Sequence, residues 1–530
     1  MARKAVIGVD IGTSSSKGVL VTLDGTVLAT ATRAHAPSRP HPGWVEMDGS
    51  LWWQEFVEIT RELLEEPDVA TVAVGVSGMG PCVLLTDADG SPLRPAILYG
   101  VDTRATEQIA ALTATLGGDE AVMARTGSAL STQAVGPKLA WLAEHEPDTF
   151  ARAERLFMPN SWLLWNLTGE YLLDHHSASQ CTPLYDARSQ TWFEPWAGPL
   201  AGTIDLPALC WPGDVGGRVS AAASAETGLP VGIPVITGTI DAWSESVSVG
   251  AQRPGDLMLM YGTTMFLINT VPSPLSATGL WGTVGAFPGT HNLAGGMATS
   301  GAITGWLRDL LAAGDFSELL ALADASGVGA GGLLMLPYFA GERTPIQDPL
   351  ARGLIAGLTL SHTAGDLYRA ALEATAFGVR HNIEAITAAG GAIERIVAVG
   401  GGTTGALWTQ IVSDVTGLPQ VIPTITVGAS FGAAFLAASA VTKANTEGGT
   451  EADTEVTTEA NTEANIDEWN PPADIRRPDP QKTAEYDELY ALYLALYPAT
   501  RTISHALAAR QARGAPNPTA TRSNEEGRIE

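Results

Sequence analysis

One short pattern occurs twice, half a chain apart, and it restricts the possible folds more than any other feature. Near the start, Val9-Asp10-Ile11-Gly12-Thr13-Ser14 closes one apolar run and opens the next. Far downstream, Met260-Tyr261-Gly262-Thr263-Thr264 does the same. In each case a run of strand composition stops at a Gly-Thr-Ser/Thr turn and a second strand follows. The first hairpin takes residues 4–10 and 17–23, and Asp24-Gly25, a tight-turn signal, leads to a third strand at 27–33. The second takes 257–261 and 265–270. Two such hairpins suggest a duplicated unit with a cleft between the halves; two unrelated hairpins are the competing reading. Strands alternate with helical spacing between them: residues 52–65 place Trp53, Phe56, Val57, Thr60, Leu63 and Leu64 near one stripe, and 69–76 reads as a buried strand. That alternation argues α/β layers. The boundary falls near Gly250-Ala251-Gln252-Arg253-Pro254-Gly255, which gives domains at 1–250 and 251–510 and a flexible tail at 511–530.

Residues 443–472 break the pattern. Thr450-Glu451-Ala452-Asp453-Thr454-Glu455 is echoed by Thr458-Glu459-Ala460-Asn461-Thr462-Glu463, and Val456 and Ile466 are its only aliphatic residues larger than Ala. So little apolar surface does not offset the entropy of ordering, and an acidic, unstructured insert is expected. Beyond it, Tyr486, Leu489, Tyr490, Tyr493 and Tyr497 share a helical stripe that packs back on the body.

Charge excludes several classes of function. Against 57 acidic residues stand 30 basic ones, a net charge of −27 over 530 residues, which disfavours nucleic acid or an anionic membrane as partner. Cys82, Cys181 and Cys210 form no CxxC pair, and their odd number leaves no complete disulfide framework; a reducing cytoplasm is expected. The apolar start is too short for a secretory signal, running directly into Asp10. Residues 415–442 carry no charge, but Pro419, Pro423 and Gln420 interrupt them and small residues dominate. They read as a buried strand followed by a small-residue helix, not a membrane span.

Three turns bear chemistry. Asp10-Ile11-Gly12-Thr13-Ser14-Ser15-Ser16-Lys17 sets a carboxylate before a run of backbone N–H groups and hydroxyls. Such a turn cradles a phosphoryl group while the carboxylate positions hydrated Mg²⁺, or it is an ordinary solvated hairpin. Val399-Gly400-Gly401-Gly402-Thr403-Thr404-Gly405 follows a strand, but no carboxylate stands about 20 residues on, where a dinucleotide fold needs one. A mononucleotide turn or close glycine packing remain. Gly238-Thr239-Ile240-Asp241-Ala242 delivers a lone carboxylate into a small-residue turn. It suits either an N-cap or a base that takes a proton from an attacking hydroxyl. His175-His176 lacks a third metal ligand at helical spacing, and Gly428-Ala429-Ser430-Phe431-Gly432 lacks the partners of a hydrolase elbow; both are read as packing.

Taken in order, these stations resemble the FGGY carbohydrate kinases. They include Asp10 to Ser14, Val76-Ser77-Gly78-Met79, Asp102 with Arg104, Gly238 to Asp241, Gly262-Thr263-Thr264, Ser300-Gly301-Ala302, Gly341-Glu342-Arg343-Thr344-Pro345, and Gly400 to Thr403. The resemblance implies two ribonuclease-H-like (actin-like ATPase) domains closing on sugar and ATP. It implies Asp241 as general base, Thr13, Ser14 and Thr263 on the ATP phosphates, and Gly301, Gly305, Gly402 and Thr403 along the nucleotide. Asp10 would serve Mg²⁺, and Met79, Gly80, Asp102 and Asp241 would meet the sugar. A homodimer is compatible with it. Within the family the chain most resembles the xylulose kinases, so D-xylulose, converted to D-xylulose 5-phosphate, is the expected substrate. Gly80 and Pro81 stand where xylulose kinases carry Met-His and glycerol kinases Arg-Glu, which keeps another pentulose, a hexulose, a polyol or gluconate in view. An inactive sugar or nucleotide sensor is the alternative from another class.

Overall fold

The computed structural model describes residues 2–447 and 465–514. Two seven-stranded sheets organise it, and they repeat one order. In the first, Arg3–Ile11 pairs antiparallel with Ser15–Thr22, which pairs antiparallel with Val27–Ala34. On its other side Arg3–Ile11 runs parallel to Val69–Gly78, and that strand parallel to Pro234–Ile236. In the second, Asp256–Tyr261, Met265–Val271 and His291–Met297 form the antiparallel set. Arg395–Val399 and then Gln420–Pro423 add in parallel. The duplicated hairpins of the sequence are therefore equivalent elements of two α/β domains.

Each antiparallel set is joined to its first parallel strand by a connection containing a packed helix. Gly49–Leu63 begins where Asp48 accepts from the Ser50 N–H at 2.9 Å, three residues before the start expected from the apolar stripe. Trp52, Phe56, Ile59 and Leu63 recur at helical spacing and are buried on the sheet. Each such burial is worth roughly 1.5–3 kcal/mol. Ala364–Ala388 does the same in the second domain, opened by the capping box of Thr363 and Asp366.

The two domains exchange helices across the cleft. Trp243, on the helix Asp241–Ser248 that closes the first domain, joins the core of Met258, Ile268, Ala294 and Val397 in the second sheet. Conversely, Phe431, Ala434 and Ala437 on Ala429–Glu447 pack with Val6, Val19 and Ala73 of the first sheet. This explains the small residues of 415–442, which form the expected strand and helix. A Cβ on Gly8 would lie 2.0 Å from the Ser430 carbonyl oxygen, and one on Gly75 2.0 Å from that of Ala433. Glycine is required at both positions so that helix and sheet backbones can touch.

Two expectations are corrected. The insert boundary at 472 is too late. Ile466–Trp469 is a buried helical turn, with Trp469 against Phe431 and Phe435, and Asn470 Nδ2 donates to the carbonyls of Ser248 and Ile425, each at 2.9 Å. Composition averaged over the segment hid one Trp and one Asn with defined partners. At its other end, Ala429–Glu447 carries helix past 443; residues 448–464 lie outside the described ones. The tail boundary at 511 also moves, since Pro480–Gly514 is helical to its end, and residues 515–530 lie outside the described ones. The aromatic stripe on that helix is core: Tyr486, Tyr490 and Tyr493 are buried.

Candidate active site

Both chemistry-bearing carboxylates stand at strand ends. Asp10 pairs with Ser77 on the neighbouring parallel strand, and Ser77 pairs with Thr239 on the next. Thr239–Ile240 then gives way to Asp241, the first residue of the helix Asp241–Ser248. Carboxyl ends of parallel strands are where open α/β sheets place ligands. Asp241 accepts from the Ala242 N–H at 2.7 Å, so the helix N-terminus fixes the side chain and favours its anion. Burial works the other way and pushes the Asp241 carboxyl up to about 6. Burial and then the nearby Asp241 push Asp10 up to about 8. Glu245, one helical turn past Asp241, is pushed up to about 7, again by burial first. Asp10 Oδ1 is buried without a hydrogen-bond partner.

These groups border one cavity of about 410 Å³. Its first-domain wall includes Asp10, Gly12, Thr13, Ser14 and Gly80, with Tyr99, Gln133, Gln180 and Thr182 beyond them. The second domain contributes Thr264, Phe266, Trp281, Thr283 and Arg343. Thr13 Oγ1 and the Tyr99 hydroxyl share a hydrogen bond of 2.6 Å, joining the first Gly-Thr turn to the polar wall beyond it. The walls are locked across the cleft: Ser128 Oγ donates to the Gly282 carbonyl at 3.0 Å, and the Val284 N–H donates to Ser179 Oγ at 3.2 Å.

Each Gly-Thr turn is closed by its own glycine N–H, across three residues in the first and two in the second. Gly12 N–H donates to the Ser15 carbonyl and Gly262 N–H to the Thr264 carbonyl, each at 3.1 Å. Thr263 is exposed on its turn, and its carbonyl accepts from the Ser300 and Ala302 N–H groups at 3.0 and 3.1 Å. Gly301 opens the helix Gly301–Leu310 directly against Gly262, where a Cβ would come within 2.6 Å of its carbonyl oxygen. Gly305 lies one turn along with open space above it. Gly402 and Thr403 sit in the tight turn Gly401–Thr404 at the end of Arg395–Val399, where Gly402 rests on Trp408. Gly301, Gly305, Gly402 and Thr403 thus line the second domain's strand ends and do not border the cavity around Asp241.

Two residues expected at the sugar lie elsewhere. Asp102 is 2% exposed and bound bidentately by Arg104, with its Oδ2 also accepting from the Val45 N–H at 2.7 Å. Arg104 in turn lies against the rings of Trp44 and Trp141, 4.1 and 5.0 Å from their centroids. That carboxylate is fully used in a structural ion pair. Met79 is wholly buried among apolar neighbours, held by its N–H to the Ile11 carbonyl at 2.7 Å. Gly80 does border the cavity, and a Cβ there would press on Ile240 at 2.7 Å. Tyr99, Gln133, Gln180, Trp281 and Glu245 were not picked out by sequence, because isolated polar and aromatic residues carry no spacing signal.

His176 packs as expected: Nδ1 bonds the Val284 carbonyl at 2.6 Å, the ring lies 3.8 Å from that of Trp243, and burial pushes it down to about 3. Among the described residues no cluster of three or more His, Cys, Asp or Glu forms a metal site. Magnesium does not need one, since it binds through one or two carboxylates together with water and substrate phosphates. The unpartnered oxygen of Asp10 fits that chemistry. No helix among the described residues is long and apolar enough to cross a membrane.

Residues 5–248 match the N-terminal domain of the FGGY family of carbohydrate kinases, and residues 257–441 match its C-terminal domain. The xylulose kinase of Escherichia coli K12 is 29% identical over 425 residues, 78% of this chain and 84% of that protein. A glycerol kinase of Nocardia farcinica is 34% identical over 449 residues, covering 80% and 87%. The crystal structure of xylulose kinase from Rhodospirillum rubrum superposes with a TM-score of 0.84 at 34% identity, over 94% of this chain and all of that one. With the duplicated fold, the paired strand-end carboxylates and the facing Gly-Thr turns, these matches establish that the chain belongs to the FGGY carbohydrate kinases.

Proposed function

We propose that this kinase transfers the γ-phosphoryl group of ATP to a terminal hydroxyl of D-xylulose, with Asp241 as the general base. The observation that carries the reading is the half-buried carboxylate of Asp241 on a cavity whose wall is built from uncharged hydroxyls and amides: Tyr99, Ser131, Gln133, Gln180 and Thr182. Such groups hydrogen-bond a polyol without demanding a charge on it. Gly80 brings no side chain to this wall, which leaves the contacts to the surrounding hydroxyls and amides. Xylulose and glycerol kinases are about equally similar to this chain, so the choice of sugar rests on the cavity wall.

Asp241 takes the proton of the hydroxyl as its oxygen bonds to the γ-phosphorus. The bond from that phosphorus to the bridging oxygen breaks, and ADP leaves. Thr13 and Ser14 from one side, and Thr263 from the other, hold the phosphates through the two Gly-Thr turns. Gly301 and Gly305 leave room for the nucleotide along their helix, and Gly402 and Thr403 border it at the neighbouring strand end. Asp10 would hold magnesium through water. When bound, that ion neutralises charge on the phosphates.

ADP release in the presence of D-xylulose, D-ribulose, gluconate and glycerol tests the substrate. D-xylulose should give the highest kcat/KM, at least about tenfold above glycerol. A preference for glycerol or gluconate overturns the choice of sugar. ADP release that no sugar raises above the ATP-only rate favours a sensor instead.

A further inference from the structure

The cavity carries a cation without an assigned role. Arg343 borders it together with Asp10, Thr13 and Asp241, but comes from the second domain. Among the cavity's lining residues the first domain supplies Asp10, Asp241, Glu245 and Lys17, and Arg343 is the second domain's one charged group. Its Nη2 donates to the Met297 carbonyl at 2.6 Å. Met297 pairs with Met265, the residue that follows Thr264, so the guanidinium is pinned beside the second phosphate turn.

This guanidinium is only partly satisfied. Nε is buried with no hydrogen-bond partner. Among the described residues no carboxylate makes an ion pair with Arg343. Its neighbour Glu342 accepts instead from the backbone N–H groups of Ala298 and Arg343, at 2.8 and 2.7 Å, and burial pushes that carboxyl up to about 7. A largely buried, unpaired cation is costly unless an anion arrives to meet it. The anion this cleft receives is a triphosphate, and three carboxylates already face it from the opposite domain.

We propose that Arg343 supplies, from within the chain, the positive charge that stabilises the phosphoryl group in flight. Charge spreads over the three equatorial oxygens of that group as it passes between bridging oxygen and sugar oxygen, and a planar guanidinium matches two of them. Arg343 makes and breaks no covalent bond; the proton still goes to Asp241 and the leaving group is still ADP. Because it sits on the second domain while the base sits on the first, the full site assembles only when the domains are together.

Arg343→Gln, Arg343→Lys and Arg343→Ala separate this role from others, assayed with D-xylulose plus ATP and with ATP alone. Arg343→Gln should lower kcat by about 10²–10³, with the KM for D-xylulose within about threefold of the parent. ATP hydrolysis without sugar should fall by the same factor, so the result does not depend on which sugar is native. Arg343→Lys, which keeps the charge but not the fork, should fall in between, and added guanidinium ion should restore part of the activity of Arg343→Ala. A raised sugar KM at parental kcat would place Arg343 on the sugar and overturn the proposal. Unchanged kinetics would do the same, as would lost activity with a lowered melting temperature and no guanidinium rescue.

Discussion

Asp10 and Asp241 are brought together across a single residue of the sheet: Asp10 pairs with Ser77, Ser77 pairs with Thr239, and Asp241 is two residues further on. This register puts two half-buried carboxyls at one strand edge, each raised above the ordinary carboxylate range. Environments that push titratable groups apart mark acid–base sites. Here the proposed base and the proposed ion-binding group are neighbours because adjacent parallel strands end together.

Asp241→Asn should keep the fold and ATP affinity while lowering kcat by about 10²–10⁴, since it removes the base and preserves the shape. The parent has a matching pH signature. Asp241 acts only as the carboxylate, and burial raises it to about 6. Turnover should therefore climb as pH rises through about 6 and level off above it. A pH–kcat profile checks this; a rate that is flat down to pH 5, or an active Asp241→Asn enzyme, contradicts the assignment.

Asp10 gives a prediction that needs no turnover. Burial raises its carboxyl to about 8, so between its ordinary range near pH 4 and about pH 8 the folded state binds a proton that the unfolded state has lost. Stability from this group is thus fully present at low pH and drains away as pH rises towards 8. Without divalent ions the melting temperature should fall across that window, and Asp10→Asn should flatten the fall. Mg²⁺ at pH 8 should raise the melting temperature of the parent and not of the variant, by linkage to the ionised carboxylate. An equal response in both proteins would place the ion elsewhere.

Much of this architecture was legible because duplication leaves a short, repeated trace. Val9 to Ser14 and Met260 to Thr264 recur because each must end a strand and open a tight turn, and few residues do both. Asp241 was legible only in the company of the other stations; on its own it reads as an N-cap, and it does sit at the first turn of a helix. The sugar wall was not legible, since Tyr99, Gln133, Gln180 and Trp281 meet only in three dimensions. Asp102 misled because a carboxylate beside an arginine looks the same in sequence whether it faces a ligand or is spent on a buried ion pair. Trp469 was missed for the opposite reason: one aromatic in a polar stretch still found a groove between Phe431 and Phe435.

That groove can be tested directly. Trp469 is 5% exposed, packs on two phenylalanines of Ala429–Glu447, and covers Gly25 in the turn between Ser15–Thr22 and Val27–Ala34, where a Cβ would come within 2.8 Å of it. Trp469→Ala should destabilise the protein by about 3–5 kcal/mol through lost burial and a cavity. Chemical denaturation followed by circular dichroism measures this. A change below about 1 kcal/mol would mean the turn contributes nothing to the helix beneath it.

The last prediction concerns coupling between the two ligands. Thr13 and Ser14 belong to the first domain and Thr263 to the second, each on a turn closed by a hydrogen bond from its own glycine N–H. The sugar wall is also shared, since Phe266, Trp281 and Thr283 reach it from the second sheet. Each ligand therefore favours the closed arrangement, and each should tighten the other by the same factor, as thermodynamic linkage requires. A coupling of about 1–3 kcal/mol corresponds to roughly 5–150-fold. Calorimetric titration of D-xylulose with and without a non-hydrolysable ATP analogue reads that factor. Thr263→Ala should weaken the analogue and shrink the coupling, while leaving sugar affinity in its absence nearly unchanged, because Thr263 does not border the sugar cavity. Slow ATP hydrolysis should persist without sugar, as water takes the place of the hydroxyl near Asp241. Equal sugar affinity in both titrations would mean that the two Gly-Thr turns act independently, and the reading of them as two jaws of one phosphate clamp would fall.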